Sequence, residues 1–230
     1  MRIIIIAPHH DDEVIGCGGN ICLHNQKGDE VIVVFVFAGW SAIPSIGNKS
    51  KATQKIQEEA MKVANVLKVD SVRELNLPDR SFSFGEYALH KLIKMLRDIN
   101  GCDMLYIPHE KEGDHEHRIV NELIHEAIWL ASSDYLPILG KKISSPDIIL
   151  GYEVWTPLLQ YQLAIDITPV ISCKKKALEI YETQLKIKNW LKGCVGLNVY
   201  RGITTGKGEF VEVFQLLKIS QDFLNRGHYE

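Results

Sequence analysis

No Cys-x-x-Cys pair occurs in this sequence, and its five cysteines (Cys17, Cys22, Cys102, Cys173 and Cys194) are an odd number. A disulfide framework and a zinc ribbon both need paired spacing, so neither is expected. Long apolar runs are missing as well. Ile3 to Ile6 are followed at once by Ala7-Pro8 and then by charges, which is too short for the core of a signal peptide. No window approaches the roughly 18 to 20 apolar residues of a membrane span. Asn48-Lys49-Ser50 matches a glycosylation sequon, but without secretion the match is read as chance. A cytoplasmic location is expected. Basic excess is the third absence: 26 Lys and Arg against 29 Asp and Glu leave a net charge of -3. That gives no electrostatic footprint for nucleic acid, and none is expected as a partner. Nor does any repeat, low-complexity tract or Pro/Gly/Ser linker divide the 230 residues, so a single domain over 1–230 is expected.

What is present is an ordinary globular composition, 46% hydrophobic and 24% charged, which excludes a disordered chain. Short β-branched runs alternate with longer amphipathic stretches. Ile3 to Ile6 and Val31 to Phe37 are continuous apolar runs, as expected of strands covered on both faces. A helix-length segment between them ends at Gly28, a C-cap residue. From Ser50, taken as an N-cap, apolar residues recur at Ile56, Ala60, Val63, Ala64 and Leu67, a helical stripe. The pattern then predicts a strand at 72–75, a helix at 87–99, a strand at 104–107 and a helix from about His117 to Leu130. This order predicts a mostly parallel sheet with helices on both faces, an α/β fold. Further on, strands are expected at 148–154 and 163–167, and a helix capped by Thr168 with Pro169 at its first position runs to about Ile187. Gly193 to Gly208 reads as turns before a strand at 210–217.

Ala7-Pro8-His9-His10-Asp11-Asp12-Glu13 follows the first strand directly. It places five ligand-competent side chains at the carboxyl end of a buried strand, where open parallel sheets bind ligands. Two histidines and three acids suit a borderline cation such as Zn²⁺. An acidic helix start is the plainer account, but a cap needs one such residue, and three adjacent acids repel one another without a cation. Gly16-Cys17-Gly18-Gly19 lacks the Gly-x-Gly-x-x-Gly spacing of a dinucleotide site, and close packing of the first helix on the sheet explains it better. The second constellation, His109-Glu110-Lys111-Glu112-Gly113-Asp114-His115-Glu116-His117-Arg118, follows the fourth strand and so falls on the same sheet edge. It offers His115 and His117 as a third ligand. Two residues apart on a helix do not face the same way, so at most one of them ligates unless the segment is extended.

Together these segments resemble the PIG-L/LmbE family of zinc-dependent N-acetylglucosaminyl de-N-acetylases. The first family motif, Pro/Ala-His-Pro-Asp-Asp-Glu with a Gly-rich turn, stands here as Pro8-His9-His10-Asp11-Asp12-Glu13 with Gly16, Gly18 and Gly19. His10 replaces the usual proline. The second motif, His-Pro-Asp-His-Arg, is degenerate as Asp114-His115-Glu116-His117-Arg118. Weaker matches at Glu58-Glu59-Ala60, Leu77-Pro78-Asp79, Tyr152-Glu153-Val154-Trp155, Asp166-Ile167-Thr168, Tyr181-Glu182-Thr183-Gln184 and Arg201-Gly202 extend it over nearly the whole chain.

The resemblance implies a Rossmann-like three-layer α/β/α fold and an N-deacetylase acting on an N-acetylated amino sugar or glycoconjugate. It implies a metal, Zn²⁺ with another divalent cation as the alternative, held by His9, Asp12 and His117, and Asp11 as general base. The family's second catalytic histidine falls at Asp114; His115 is the expected substitute, with Glu116 orienting a neighbouring histidine. Arg80 and Asp79 are candidate contacts to a sugar hydroxyl, and Trp40, Tyr152 and Trp155 are candidate stacking groups, with burial in the core as the commoner fate. His24, His90 and His125 are read as structural, and Lys174-Lys175-Lys176 as a solvated helix face. Several family members form trimers or hexamers, so a homo-oligomer is one expectation. The alternatives kept open are a metal amidase on another N-acyl substrate and a catalytically weak metal- or sugar-binding homologue.

Overall fold

The computed structural model describes residues 1–81 and 85–225. The first half of the chain alternates strand and helix as its periodicity predicts: β1 (Arg2–Ala7), α1 (Asp12–Lys27), β2 (Glu30–Phe37), α2 (Lys49–Leu67), β3 (Ser71–Leu77), α3 (Gly85–Ile99), β4 (Met104–Pro108) and α4 (His115–Ala131). The second half adds β5 (Ile148–Tyr152), β6 (Leu163–Asp166), α5 (Ile171–Ile180), α6 (Glu182–Leu185), α7 (Trp190–Thr205), β7 (Val211–Ile219) and α8 (Gln221–Asn225). The seven strands form one sheet in the order β3-β2-β1-β4-β5-β7-β6. The first five pair in parallel, with Ile4 opposite both Ile32 and Leu105. β7 runs antiparallel to both of its neighbours.

Alternation along β1 divides the core into two layers. Ile3, Ile5 and Ala7 pack with residues of α1, α2, α5 and α7, while Ile4 and Ile6 pack with residues of α3 and α4. A strand covered on both faces has no polar side, which is why its sequence is a continuous apolar run. The result is a three-layer α/β/α sandwich. The chain leaves β1 toward β2 and β3, then crosses back to β4 on the other side of β1, so the strand order reverses between β1 and β4. Loops at such a switch point diverge and leave a crevice. The loop after β1 and the loop after β4 are the two polar constellations.

The Gly-rich start of α1 is a packing device. A Cβ on Gly16 would lie 2.2 Å from Tyr152 Cδ2, and one on Gly19 would lie 2.5 Å from Ile167 Cγ2. Tyr152 itself is wholly buried and donates its hydroxyl to the Ile6 carbonyl at 2.8 Å.

Several local expectations change. α2 is capped by Asn48 rather than Ser50: its Oδ1 accepts the Lys51 N–H at 3.0 Å. The stretch expected as one helix from Thr168 is a 3-10 turn (Thr168–Val170) followed by α5 and α6. The glycines of 193–205 lie in a helix, α7, bounded by Asn189, which accepts the Lys192 N–H, and by Gly206 at φ 65°. Lys174 is fully buried instead of solvated, its ammonium 2.7 Å from Glu212 Oε1 and 2.9 Å from the Ile15 carbonyl. Among the described residues, no helix is long and apolar enough to cross a membrane.

Candidate metal centre

β1 ends at Ala7, and α1 begins only five residues later. The turn is made by Asp11 at φ 129° and ψ -23°, a backbone region that non-glycine residues rarely enter and that clusters at functional sites. Glu13 holds this turn: its Oε2 accepts the Asp11 N–H at 3.1 Å, and its Oε1 accepts the Tyr181 hydroxyl at 2.6 Å. Burial pushes the Glu13 carboxyl up to about 8.

The structure brings His9, Asp12 and His117 together from the two loops. His9 Nδ1 and His117 Nε2 are 3.2 Å apart, and Asp12 Oδ2 lies 3.4 Å from the first and 3.2 Å from the second. A tetrahedral zinc ion with bonds of about 2.0–2.1 Å separates its ligand atoms by about 3.3–3.4 Å. The triangle of donors therefore has the dimensions that such an ion requires.

The outer nitrogen of His9 is hydrogen-bonded to a carboxylate, and that of His117 faces one without a hydrogen bond. His9 Nε2 lies 2.8 Å from Glu116 Oε2, and His117 Nδ1 lies 3.5 Å from Glu112 Oε2. A carboxylate on the outer N–H selects the tautomer whose lone pair faces inward, toward the shared point. Burial alone would lower the proton affinity of His9, yet Asp12 and Glu116 hold it up at about 10; burial is likewise outweighed at His117, where Asp12 and Glu112 hold it at about 9. Two imidazolium rings in such contact repel each other, and a dication replaces both protons with one central charge. Imidazole nitrogen with one carboxylate oxygen is a zinc-type donor set.

Asp11 lines the same cleft as His9 and Asp12, together with Gly39, Ser41, Arg80, Trp155, Gln184, Lys188 and Trp190. Burial, then repulsion from Asp12 and Glu13, raises its carboxyl well above the usual range. Arg80 is half exposed at the rim, with its Nη1 3.3 Å from both Asp114 Oδ2 and Glu116 Oε2.

Two expected site residues, Asp79 and His115, stand elsewhere. Asp79 is buried beneath the cleft and accepts the Gly39 N–H at 2.9 Å and the Ser41 N–H at 2.7 Å, so its oxygens shape the loop instead of facing a sugar. His115, expected beside the reacting carbonyl, is exposed on the first turn of α4 and does not line the cleft. The helix begins at His115, which sets it about 200° around the axis from His117. Asp114 is the N-cap, its Oδ1 accepting the Glu116 N–H at 2.8 Å. Of the candidate stacking groups, only Trp155 lines the cleft. Tyr152 is core, and the Lys49 ammonium sits 3.9 Å above the Trp40 ring. His10, at the motif's departure from proline, is buried, stacked on Phe35 at 4.3 Å and 3.1 Å from Glu74 Oε1. It points away from the donor triangle.

Glu112 was not singled out by the sequence. It is almost fully buried and accepts the N–H groups of Val154 (2.6 Å), Trp155 (3.1 Å) and Thr156 (3.3 Å), while lying 3.2 Å from His109 Nε2. Burial would raise its pKa, but His109, His117 and the backbone donors hold it at about 2. It joins the loop after β4 to the segment after β5 and faces the outer nitrogen of His117. Glu112→Gln is expected to weaken zinc binding about 10- to 100-fold, measured by competition with a chelating dye. Unchanged affinity would remove Glu112 from the support of His117.

Comparison with known proteins places these features. The diacetylchitobiose deacetylase of Thermococcus kodakarensis is 23% identical over 204 residues, covering 82% of this chain and 72% of that protein. Among solved structures, N,N'-diacetylchitobiose deacetylase from Pyrococcus horikoshii matches with a TM-score of 0.81 at 22% identity, covering 96% of this chain and 88% of that one. The 4-carboxy-2-hydroxymuconate hydratase of Pseudomonas putida KT2440 matches with a TM-score of 0.79 at 19% identity, covering 95% and 97%. A deacetylase and a hydratase thus share this fold, and activity has to be argued from the site. A family model described as PIG-L, GlcNAc-PI de-N-acetylase, matches residues 4–128, more than half of the chain. On that match, which spans the two loops that build the donor triangle, the chain belongs to the PIG-L family.

Proposed function

We propose that this protein is a zinc-type metal-dependent hydrolase that removes the N-acetyl group from an amino sugar or its conjugate. The observation that carries the reading is the donor triangle of His9 Nδ1, Asp12 Oδ2 and His117 Nε2, with a buried, proton-hungry Asp11 lining the same cleft. The deacetylase relative supports the substrate class.

His9, Asp12 and His117 would hold the cation, with Glu116 orienting the His9 ring and Glu112 facing the outer nitrogen of His117. A bound divalent cation supplies Lewis acidity to the acyl carbonyl and makes water a nucleophile near neutral pH. Asp11 is the general base: it takes the proton as water adds to the amide carbon. It returns that proton to nitrogen as the C–N bond breaks, giving the free amine and acetate. Arg80 offers its remaining N–H groups to the substrate, and Asp79 acts indirectly by fixing the 39–41 loop. Among the described residues lining the cleft, Arg80 and Lys188 are the cationic side chains other than the ligand His9. Support of the departing group is therefore assigned to Arg80, in place of His115. We also take residues 1–230 as one domain, supported by a single sheet whose strands come from both ends of the chain.

The test is acetate release from a panel of N-acetylated amino sugars. Activity is expected to vanish on exhaustive chelation and to return with one equivalent of zinc per chain. A zinc-loaded protein inert across the panel would instead favour a metal- or sugar-binding homologue.

A further inference from the structure

A second cavity adjoins the cleft. It has a volume of about 220 Å³ and lies between α1, α7 and the segment after β5. It shares Trp155 and Trp190 with the metal cleft. The two rings are 5.7 Å apart, and the Trp155 ring is 6.0 Å from that of His117. Trp155 thus stands between the cavity and a proposed metal ligand.

Its walls are apolar: Ile15, Val154, Pro157, Leu197 and Val213. The acidic and amide side chains on its boundary are engaged within the protein. Glu153 receives Arg201 at 2.7 Å and the Leu158 N–H at 2.7 Å; Glu212 receives Lys174 and the Gly19 N–H; Asn198 donates to the Val211 carbonyl at 2.9 Å. A ligand entering there meets hydrocarbon. An apolar cavity of about 150 Å³ accommodates benzene, so this one has room for a short alkyl chain.

Gly193 lies in the first turn of α7 and lines the cavity, yet a Cβ placed on it meets no atom within 4 Å. Gly202, on the same helix, has a steric reason: its Cβ would lie 2.3 Å from the Glu209 carbonyl oxygen. Gly193 is exposed, as is Gly196 on the same helix, and it leaves the adjoining stretch of the cavity wall without a side chain. It stands on one helical face with Trp190 and Leu197, the face turned to the cavity.

The two sides of the cleft differ. Ser41, Arg80, Gln184 and Lys188 offer the hydrogen-bonding groups that sugar hydroxyls need, whereas beyond the tryptophans the wall is mainly apolar and its carboxylates and amide are already bonded within the protein. We infer that the cavity receives the acyl tail of the substrate, so that the preferred substrates carry an N-acyl chain longer than acetyl, about four to eight carbons. The inference rests on the hydrolase reading above and replaces its acetyl group by a longer acyl chain.

The experiment measures kcat/KM and Trp fluorescence binding for N-acetyl-, N-butanoyl-, N-hexanoyl- and N-octanoylglucosamine, alongside methyl and hexyl glycosides of N-acetylglucosamine. Each buried methylene is worth about fourfold, so the hexanoyl amide is expected to exceed the acetyl amide at least tenfold. Gly193→Leu fills the open space with a good helix former, and Leu197→Phe narrows it from the next turn. Each is expected to bring the hexanoyl-to-acetyl ratio close to one. A flat series in the wild-type protein overturns the inference while leaving the hydrolase reading intact. Chain-length dependence along the glycosides instead of the amides also overturns it. If nothing is hydrolysed, hexanoyl binding that Gly193→Leu abolishes keeps the cavity assignment while the hydrolase reading falls.

Discussion

Asp11→Asn is expected to keep its cation and lose about 10²–10⁴-fold in kcat, the range ascribed to a positioned general base. The substitution is nearly isosteric, and asparagine enters positive-φ backbone about as readily as aspartate, so the φ 129° turn survives. Asp11 is not a member of the donor triangle, and its amide form also relieves repulsion with Asp12 and Glu13, two of the groups that raise its pKa. Ligand loss is therefore no explanation for a fall in turnover. Metal content per chain and kcat measured on the same sample separate the two effects. Full turnover by the zinc-loaded Asp11→Asn variant would assign proton transfer to another group.

Lys174→Met is expected to destabilise the fold by about 3–5 kcal/mol, the cost of breaking a buried ion pair from one side. The pair is more than a contact between two charges. Glu212 also accepts the N–H groups of Gly19 (2.8 Å) and Asn20 (2.9 Å), inside α1, and Lys174 donates to the Ile15 carbonyl of the same helix. Removing the ammonium leaves a carboxylate with 2% exposure and only neutral amide donors of α1 as its remaining support. For a chain of this size, roughly 2–4 °C of Tm accompanies each kcal/mol, so a fall of about 6–20 °C is expected in a thermal melt. Adding Glu212→Gln is expected to restore part of the loss, because no uncompensated charge is then buried. A single variant within 1 kcal/mol of wild type would show that the pair is not needed to seat α1.

The places where sequence reasoning held and where it missed follow a pattern. Ile3 to Ile6 and Val31 to Phe37 are legible as central strands because burial on both faces removes polar residues locally. The two polar constellations are legible as one crevice because strand–helix alternation puts both on the carboxyl edge. Gly16, Gly18 and Gly19 are legible as close packing because their spacing fails as a phosphate loop. By contrast, Asp114 to Arg118 is entirely polar, and periodicity cannot mark where its helix starts. Starting α4 at His115 turns that residue outward and His117 inward. Three consecutive lysines read as solvated until a carboxylate from β7, 38 positions away, is placed beside the first. Gly193, Gly196 and Gly202 read as turns because glycine is a weak helix former, but the caps at Asn189 and Gly206 enclose them in α7.

The amino-acid sequence alone determined the α/β alternation and the crevice that carries the polar groups, while the choice of His117 over His115 beside His9, Asp11 and Asp12 came from the family resemblance. Only the tertiary structure decided which atoms meet. His9 Nδ1, Asp12 Oδ2 and His117 Nε2 come together, Glu112 gathers backbone donors from about 40 residues onward, and Asp79 turns beneath the cleft. The physical reason is range. Side-chain period records which face of an element is buried, whereas hydrogen bonds and ligand geometry between distant segments depend on strand order and helix phase.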